Sequence, residues 1–234
     1  MSGGVGPTGS DIRLSKGEFM QKSEKQSTQK GFLSFRQLNA LAVIIVFSAS
    51  GMVSLGDFLF SVFTIVYVFF LSRIAFPPLS PFADPPVFAQ KNKILGLYVS
   101  CAALIGLFLP ICYIFEGILE GDKKGIKAAT PHVFLLASQV FMEGLTFNAG
   151  FSLPMQVFVP VFFNSKRMFT LFDWLMAEIV KAGEPSGGSS RRVYFGRLLA
   201  VTNLVLWSFN LFGFLLPVYL PRAFKRYYGY KEKI

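Results

Sequence analysis

Ile94 to Phe115 runs for 22 residues without a charged side chain, and Leu198 to Pro221 does so for 24. At 1.5 Å per residue, a helix of that length covers the roughly 30 Å hydrocarbon layer of a bilayer. In hydrocarbon the backbone must satisfy its own polar groups, so only helices or a closed barrel can span. No alternation of period two appears, which leaves helices. Hydrophobic residues make up 53% of the 234 and charged residues 15%, with a mean hydropathy of +0.51. A soluble domain carries about 25% charged residues. The expectation is an all-α, polytopic membrane protein with about four to six membrane segments.

Residues 1–37, rich in Gly, Ser, Lys and Gln, read as a disordered basic arm. The membrane domain follows over 38–222. Between Gln37 and Ser72 the only charge is Asp57. Ser50-Gly51 and Gly56-Asp57 offer a break, predicting a hairpin of helices 38–55 and 58–76 with Asp57 as a turn residue. Five prolines over 77–86 favour extended geometry and a stiff tether. Pro110 is placed to kink the span 94–115. Residues 151–163 are too short to cross and hold Pro154 and Pro160, so they read as a bent or re-entrant segment. From 165 to 182, Lys166, Thr170, Asp173 and Lys181 take one face, and Met168, Phe172, Leu175, Met176 and Ile179 the other. That pattern predicts an interfacial amphipathic helix, with Lys166, Arg167 and Trp174 as membrane-interface residues. A flexible linker (183–190), the last span and a basic tail (223–234) complete the chain.

The candidate site lies in TPHVFLLASQVFMEGLTFN, residues 130–148. Thr130 suits an N-cap, Pro131 the first helical position, and Asn148-Ala-Gly150 a stop. On that helix His132, Gln139, Glu143 and Thr146 fall within about 60° of one another. They form a polar stripe that should face protein or water, not lipid. His132 reads as a helix-end residue near the headgroups. Glu143 reads either as a carboxylate bonded to a neighbouring helix or as the lining of a cavity. Gly196, Asn203, Asn210 and Pro217 recur every seven residues, a second polar seam of the kind that packs membrane helices closely. The two seams are expected to face each other, with Asn203 or Asn210 bonding Glu143.

The net charge of +10 is spread in flanks. Segments 1–37, 73–93, 116–127, 164–197 and 222–234 carry +3, +2, zero, +3 and +4. Basic flanks are a topology signal, so nucleic-acid binding is not expected. The positive-inside rule puts 1–37 on the cytosolic side with 73–93 and 164–197, and 116–127 opposite. The +4 tail then falls on the far side, which leaves the C-terminus open. Cys101 and Cys112 lie about 16 Å apart on one helix, cannot bridge, and read as buried small residues. One histidine and no Cys-x-x-C argue against a metal site, and no cofactor is expected. No catalytic motif occurs, so the expected role is non-enzymatic: a membrane scaffold or assembly partner. The alternative is a carrier or channel for a small solute, proton or lipid at Glu143. Expected partners are the bilayer and other membrane proteins, or further copies of the chain.

Three stretches, FPPLSPFADPPVF, ATPHVFLLASQVFMEGL and YFGRLLAVTNLVLWSFNLFGFLLPVYLPRAF, resemble an uncharacterised family of land-plant multi-pass membrane proteins. The resemblance covers roughly 30–230 and supplies no catalytic residue. It implies a plant endomembrane or plastid location. Asp11, Glu18 and Glu24 count against a transit peptide and so put the endomembrane system first.

Overall fold

A computed structural model of the chain describes residues 35–79, 93–181, 183 and 189–232. Among them are six helices and no strand. They are α1 (Phe35–Ala49), α2 (Leu55–Ile74), α3 (Lys93–Glu120), α4 (Lys123–Asn148), α5 (Leu153–Lys181) and α6 (Ser190 through Lys231). Successive helices run in opposite directions. At one end Lys181 and Arg192 both reach Asp122 in the α3–α4 turn. At the other end Ser152 Oγ donates to the Phe76 carbonyl (2.8 Å), Tyr227 to the Pro77 carbonyl (2.9 Å), and Asn148 to Gln37 (3.3 Å). By length and composition α2, α3 and residues Ser190–Gly229 of α6 are apolar enough to cross a membrane. That is fewer than the four to six expected, because α1 has only 15 residues and α4 and α5 carry charges.

Several boundaries differ from the sequence expectation. The helix carrying the stripe begins at Lys123, not Pro131. Gly121 at φ 72° ends α3, and Asp122 caps α4 by accepting from Gly125 N–H at 2.9 Å. The anticipated cap, Thr130, is inside the helix and donates to the Ile126 carbonyl. Leu153–Lys181 is one continuous helix of 29 residues, so the bent segment expected over 151–163 and the amphipathic helix expected after it are not separate elements. Pro154 sits in its first turn, where no N–H is required, so only Pro160 interrupts the ladder. Ser54 caps α2, and Asp57 lies in that helix's first turn, 4% exposed. Cys101 and Cys112 are exposed, not buried. Of the anticipated arm only 35–37 is described, and it is helical; most of the proline-rich tether and of the linker lies outside the described residues. The anticipated tail continues α6 as far as Lys231.

α4 is central, with its middle buried among α1, α3 and α5. One apolar cluster joins Tyr113, Val133, Leu171, Trp174 and Trp207; another joins Val68, Phe134, Met142, Met155 and Phe163. Phenylalanines pack edge to face, as in Phe60–Phe163 (5.6 Å) and Phe69–Phe151 (5.0 Å). Such pairs add about 0.5–1.5 kcal/mol beyond area burial.

The break in α3 organises the packing around it. Leu104–Phe108 forms a π turn, with Leu109 N–H reaching back five residues to the Leu104 carbonyl. Pro110 has no N–H, so this turn is short of donors. Two of its carbonyls are served from outside: Asn203 donates to Ile105 at 3.0 Å and His132 Nε2 to Gly106 at 2.8 Å. Gly106 also lets an indole in, since a Cβ there would stand 2.6 Å from Trp207. Gly106→Ala should therefore destabilise by about 1–3 kcal/mol, the usual cost of overpacking. A double-mutant cycle with Trp207→Leu, read by unfolding in detergent, should show the two changes strongly coupled. Additive losses would defeat this account.

Candidate functional site

Two of the stripe residues on α4 bond across the bundle, His132 to α3 and Gln139 to α5. His132 is fully buried in the third turn, because its helix starts well before it. Its ring stacks on Trp174 at 6.2 Å and tilts against Trp207 at 6.3 Å. Gln139 sits between two charges. Its Oε1 accepts from Arg167 Nη2, and its Nε2 donates to Glu143 Oε1 at 2.7 Å. Arg167 is fully buried, with its guanidinium 4.2 Å over the Trp207 ring, while its Nε and Nη1 have no hydrogen-bond partner. Thr146 is buried and donates to the Glu143 carbonyl.

The expected pairing of Glu143 with the asparagine seam is not formed. Asn203 donates to the carbonyls of Ile105 and Leu199 and accepts from Trp207 Nε1. Asn210 accepts from Tyr98 at 2.9 Å. Both amides turn to α3, where the π turn and a tyrosine need partners. The interface residues also differ from expectation. Arg167 and Trp174 point into the bundle, while Lys166 reaches Asp57 at 3.1 Å. Of the polar face expected over 165–182, Thr170 and Lys181 are buried and Asp173 is exposed, while Phe172, Met176 and Ile179 of the apolar face are exposed.

Sequence reasoning missed a second polar centre, which ties four helices together. Asp122 Oδ2 receives Lys181 Nζ at 2.6 Å and Arg192 Nε at 2.7 Å. Arg192 also donates to the Tyr113 carbonyl, reaches Glu116, and lies 4.1 Å over the Tyr113 ring. The Tyr113 hydroxyl donates to Glu178 Oε1. Glu178 Oε2 is 3.1 Å from Lys181 yet outside hydrogen-bond geometry, so charge alone holds it. Asp122 and Glu178 thus balance Lys181 and Arg192 in one buried clasp. Close approach depends on glycine. A Cβ at Gly117 would stand 2.4 Å from Arg192, at Gly125 2.3 Å from Asp122, and at Gly196 2.7 Å from Glu178. Read singly, these residues looked like flanking charges. Gly196 was the available signal, since its place in the seam marked a close contact.

Ion pairs of this kind are weak evidence of net stability, but stranding one member is costly, about 3–5 kcal/mol. Lys181→Met leaves Asp122 and Glu178 short of a cation and should lower the unfolding free energy by about that much. Adding Glu178→Leu should recover part of the loss, and a loss below about 1 kcal/mol for Lys181→Met alone would refute the clasp. Acid should open it too. Burial pushes the Asp122 carboxyl up, but hydrogen bonds from Lys181, Gly125 N–H and Arg192 outweigh this and hold it below its ordinary 3.8. With a lowered folded-state pKa, its contribution is full above pH 3.8 and is lost as pH falls through the folded value. A pH titration of unfolding should show Asp122→Asn flattening the slope in that acid window.

Among the described residues no group of His, Cys, Asp and Glu is placed to hold a metal ion. A cavity of about 800 Å³ lies between α4, α5 and the α1–α2 turn, and no residue of the stripe lines it. Residues 33–228 match the family model described as Domain of unknown function (DUF7733). No curated protein and no solved structure matches the chain.

Proposed function

The chain belongs to the DUF7733 family, and we propose that it is an integral multi-pass membrane protein acting as a non-enzymatic scaffold or assembly partner. The observation that carries this reading is how the interior polar groups are used. His132, Gln139, Asn203 and Asn210 each bond to another part of the bundle. Glu143, the residue a carrier would use, accepts from Gln139 in the same network. Outside, the surface is apolar: within the hydrophobic windows, only 28% of α2 and 11% of α3 are buried. His132, Gln139, Asn203 and Asn210 bonded across the interior, with apolar faces outside, suit a body dissolved in lipid, docking on other membrane proteins or on further copies.

The alternating helices also suggest an orientation. Because successive helices alternate in direction, the start of α1 and the end of α6 fall at one end, and the last turns of α6 carry Arg222, Lys225, Arg226 and Lys231 there. At the opposite end 116–127 sums to zero, while Arg191 and Arg192 open α6 there. The positive-inside rule then makes the first end cytosolic, so the segment after α6 shares a side with the one before α1. This reading puts the end of α5 and the start of α6, expected on the cytosolic side, on the opposite one. A plant endomembrane location, implied by the resemblance, belongs to the same proposal.

One reconstitution tests the role. Purified protein in liposomes should pass protons no faster than empty vesicles, and Glu143→Gln should leave both the leak and the unfolding free energy nearly unchanged. A proton flux that Glu143→Gln abolishes in a folded protein would make it a carrier. Reporters fused before Phe35 and after Lys231 should both read cytosol; a lumenal signal from either overturns the orientation.

A further inference from the structure

The turn joining α1 to α2 stops well short of the clasp. Asp57, in the first turn of α2, pairs with Lys166, which lies about 22 Å along α5 from Lys181. Above that turn, between α4 and α5, an open groove of about 800 Å³ remains. Met52, Ser54, Asp57 and Lys166 form its floor; Lys124 and Lys127 of α4 and Met176 and Val180 of α5 form its walls. Its apolar wall continues onto Phe172 and Ile179, which are exposed on the same helix.

The charges of the lining are uneven. Four lysines line the groove against two aspartates. Lys181 is committed to the clasp and Lys166 to Asp57, although Lys166 keeps 30% of its side chain exposed. Lys127 is exposed and has no ion-pair partner among the described residues. The capped start of α2 at Ser54 adds the positive end of a helix dipole to the floor. Cationic side chains in the floor and wall of a trough that also has an apolar wall match a molecule with an anionic head and a hydrocarbon chain.

We propose that this groove binds an amphiphile with a phosphate-type acidic head. Lys127 and Lys166 face the head, and the chain lies along Met52, Met176 and Val180 toward the apolar face of α5. Lysine ammoniums and a helix N-terminus are the groups that receive phosphate oxygens. Entry from the side uses the membrane reading above, but nothing here depends on the scaffold role.

The test uses the full chain in nonionic detergent, titrated with a fluorescent phosphatidic acid and with its phosphatidylcholine counterpart. Phosphatidic acid should bind about tenfold more tightly, the effect of one or two lysines at close range. Lys127→Glu should remove most of that preference while leaving the melting temperature unchanged, since its side chain is exposed and unpaired. Val180→Trp, which fills the trough, should weaken phosphatidic acid binding with Lys127 intact. Equal affinity for the two lipids, or unchanged affinity in Lys127→Glu, overturns the proposal. Displacement of the lipid by millimolar inorganic phosphate overturns it as well, by making the groove a free-anion site. If carbonate washing strips the protein from membranes, the membrane reading fails, while these affinities still decide the groove.

Discussion

A helix that loses backbone donors in an apolar setting must find them elsewhere, and this bundle is arranged around one such loss. Pro110 and the π turn before it leave α3 short of N–H groups at Ile105 and Gly106. Unpaired, each buried carbonyl costs about 1–3 kcal/mol. The supply comes from His132 on α4 and Asn203 on α6, which fixes the rotation and depth of both helices against α3. Trp207 then enters over Gly106 and receives the guanidinium of Arg167 on its face. Three helices and the buried arginine of a fourth are registered by one defect.

The clasp at the end of the bundle solves a different problem with similar means. Two cations and two anions share a buried space that glycine keeps open at Gly117, Gly125 and Gly196. On α6 the clasp holds Arg192 and the π turn holds Asn203. Between them the core is aromatic and aliphatic, with Tyr113, Trp174 and Trp207 bridging the two.

Much of this was legible in the residues. Uncharged runs announced α2, α3 and α6, and Ser50-Gly51 marked the first turn. The stripe on α4 and the seam on α6 were visible as periodic polar positions. Their partners were not legible, because periodicity tells which face is polar but not which neighbour that face meets. His132 illustrates the limit: its partner is a carbonyl exposed only because of a proline 22 residues earlier. Residues 165–182 illustrate another. Their two-sided pattern fits a helix lying on a surface as well as one whose charges turn inward, and only the partners Gln139, Asp122 and Tyr113 separate the two. The cavity was beyond sequence reasoning, since it arises from the difference in reach between a 15-residue helix and a 29-residue one.

The clasp also sets an order of events during synthesis. Asp122 leaves the ribosome 59 residues before Lys181 and 70 before Arg192. For that interval the cations near its carboxylate in the chain are Lys123, Lys124 and Lys127, which are not its partners in the finished fold. Glu178 and Lys181 emerge nearly together, so they neutralise each other first and Asp122 second. Only the start of α6 brings the arginine that completes the set. A chain stalled before Ser190 would hold α3, α4 and α5 side by side with an unfinished junction.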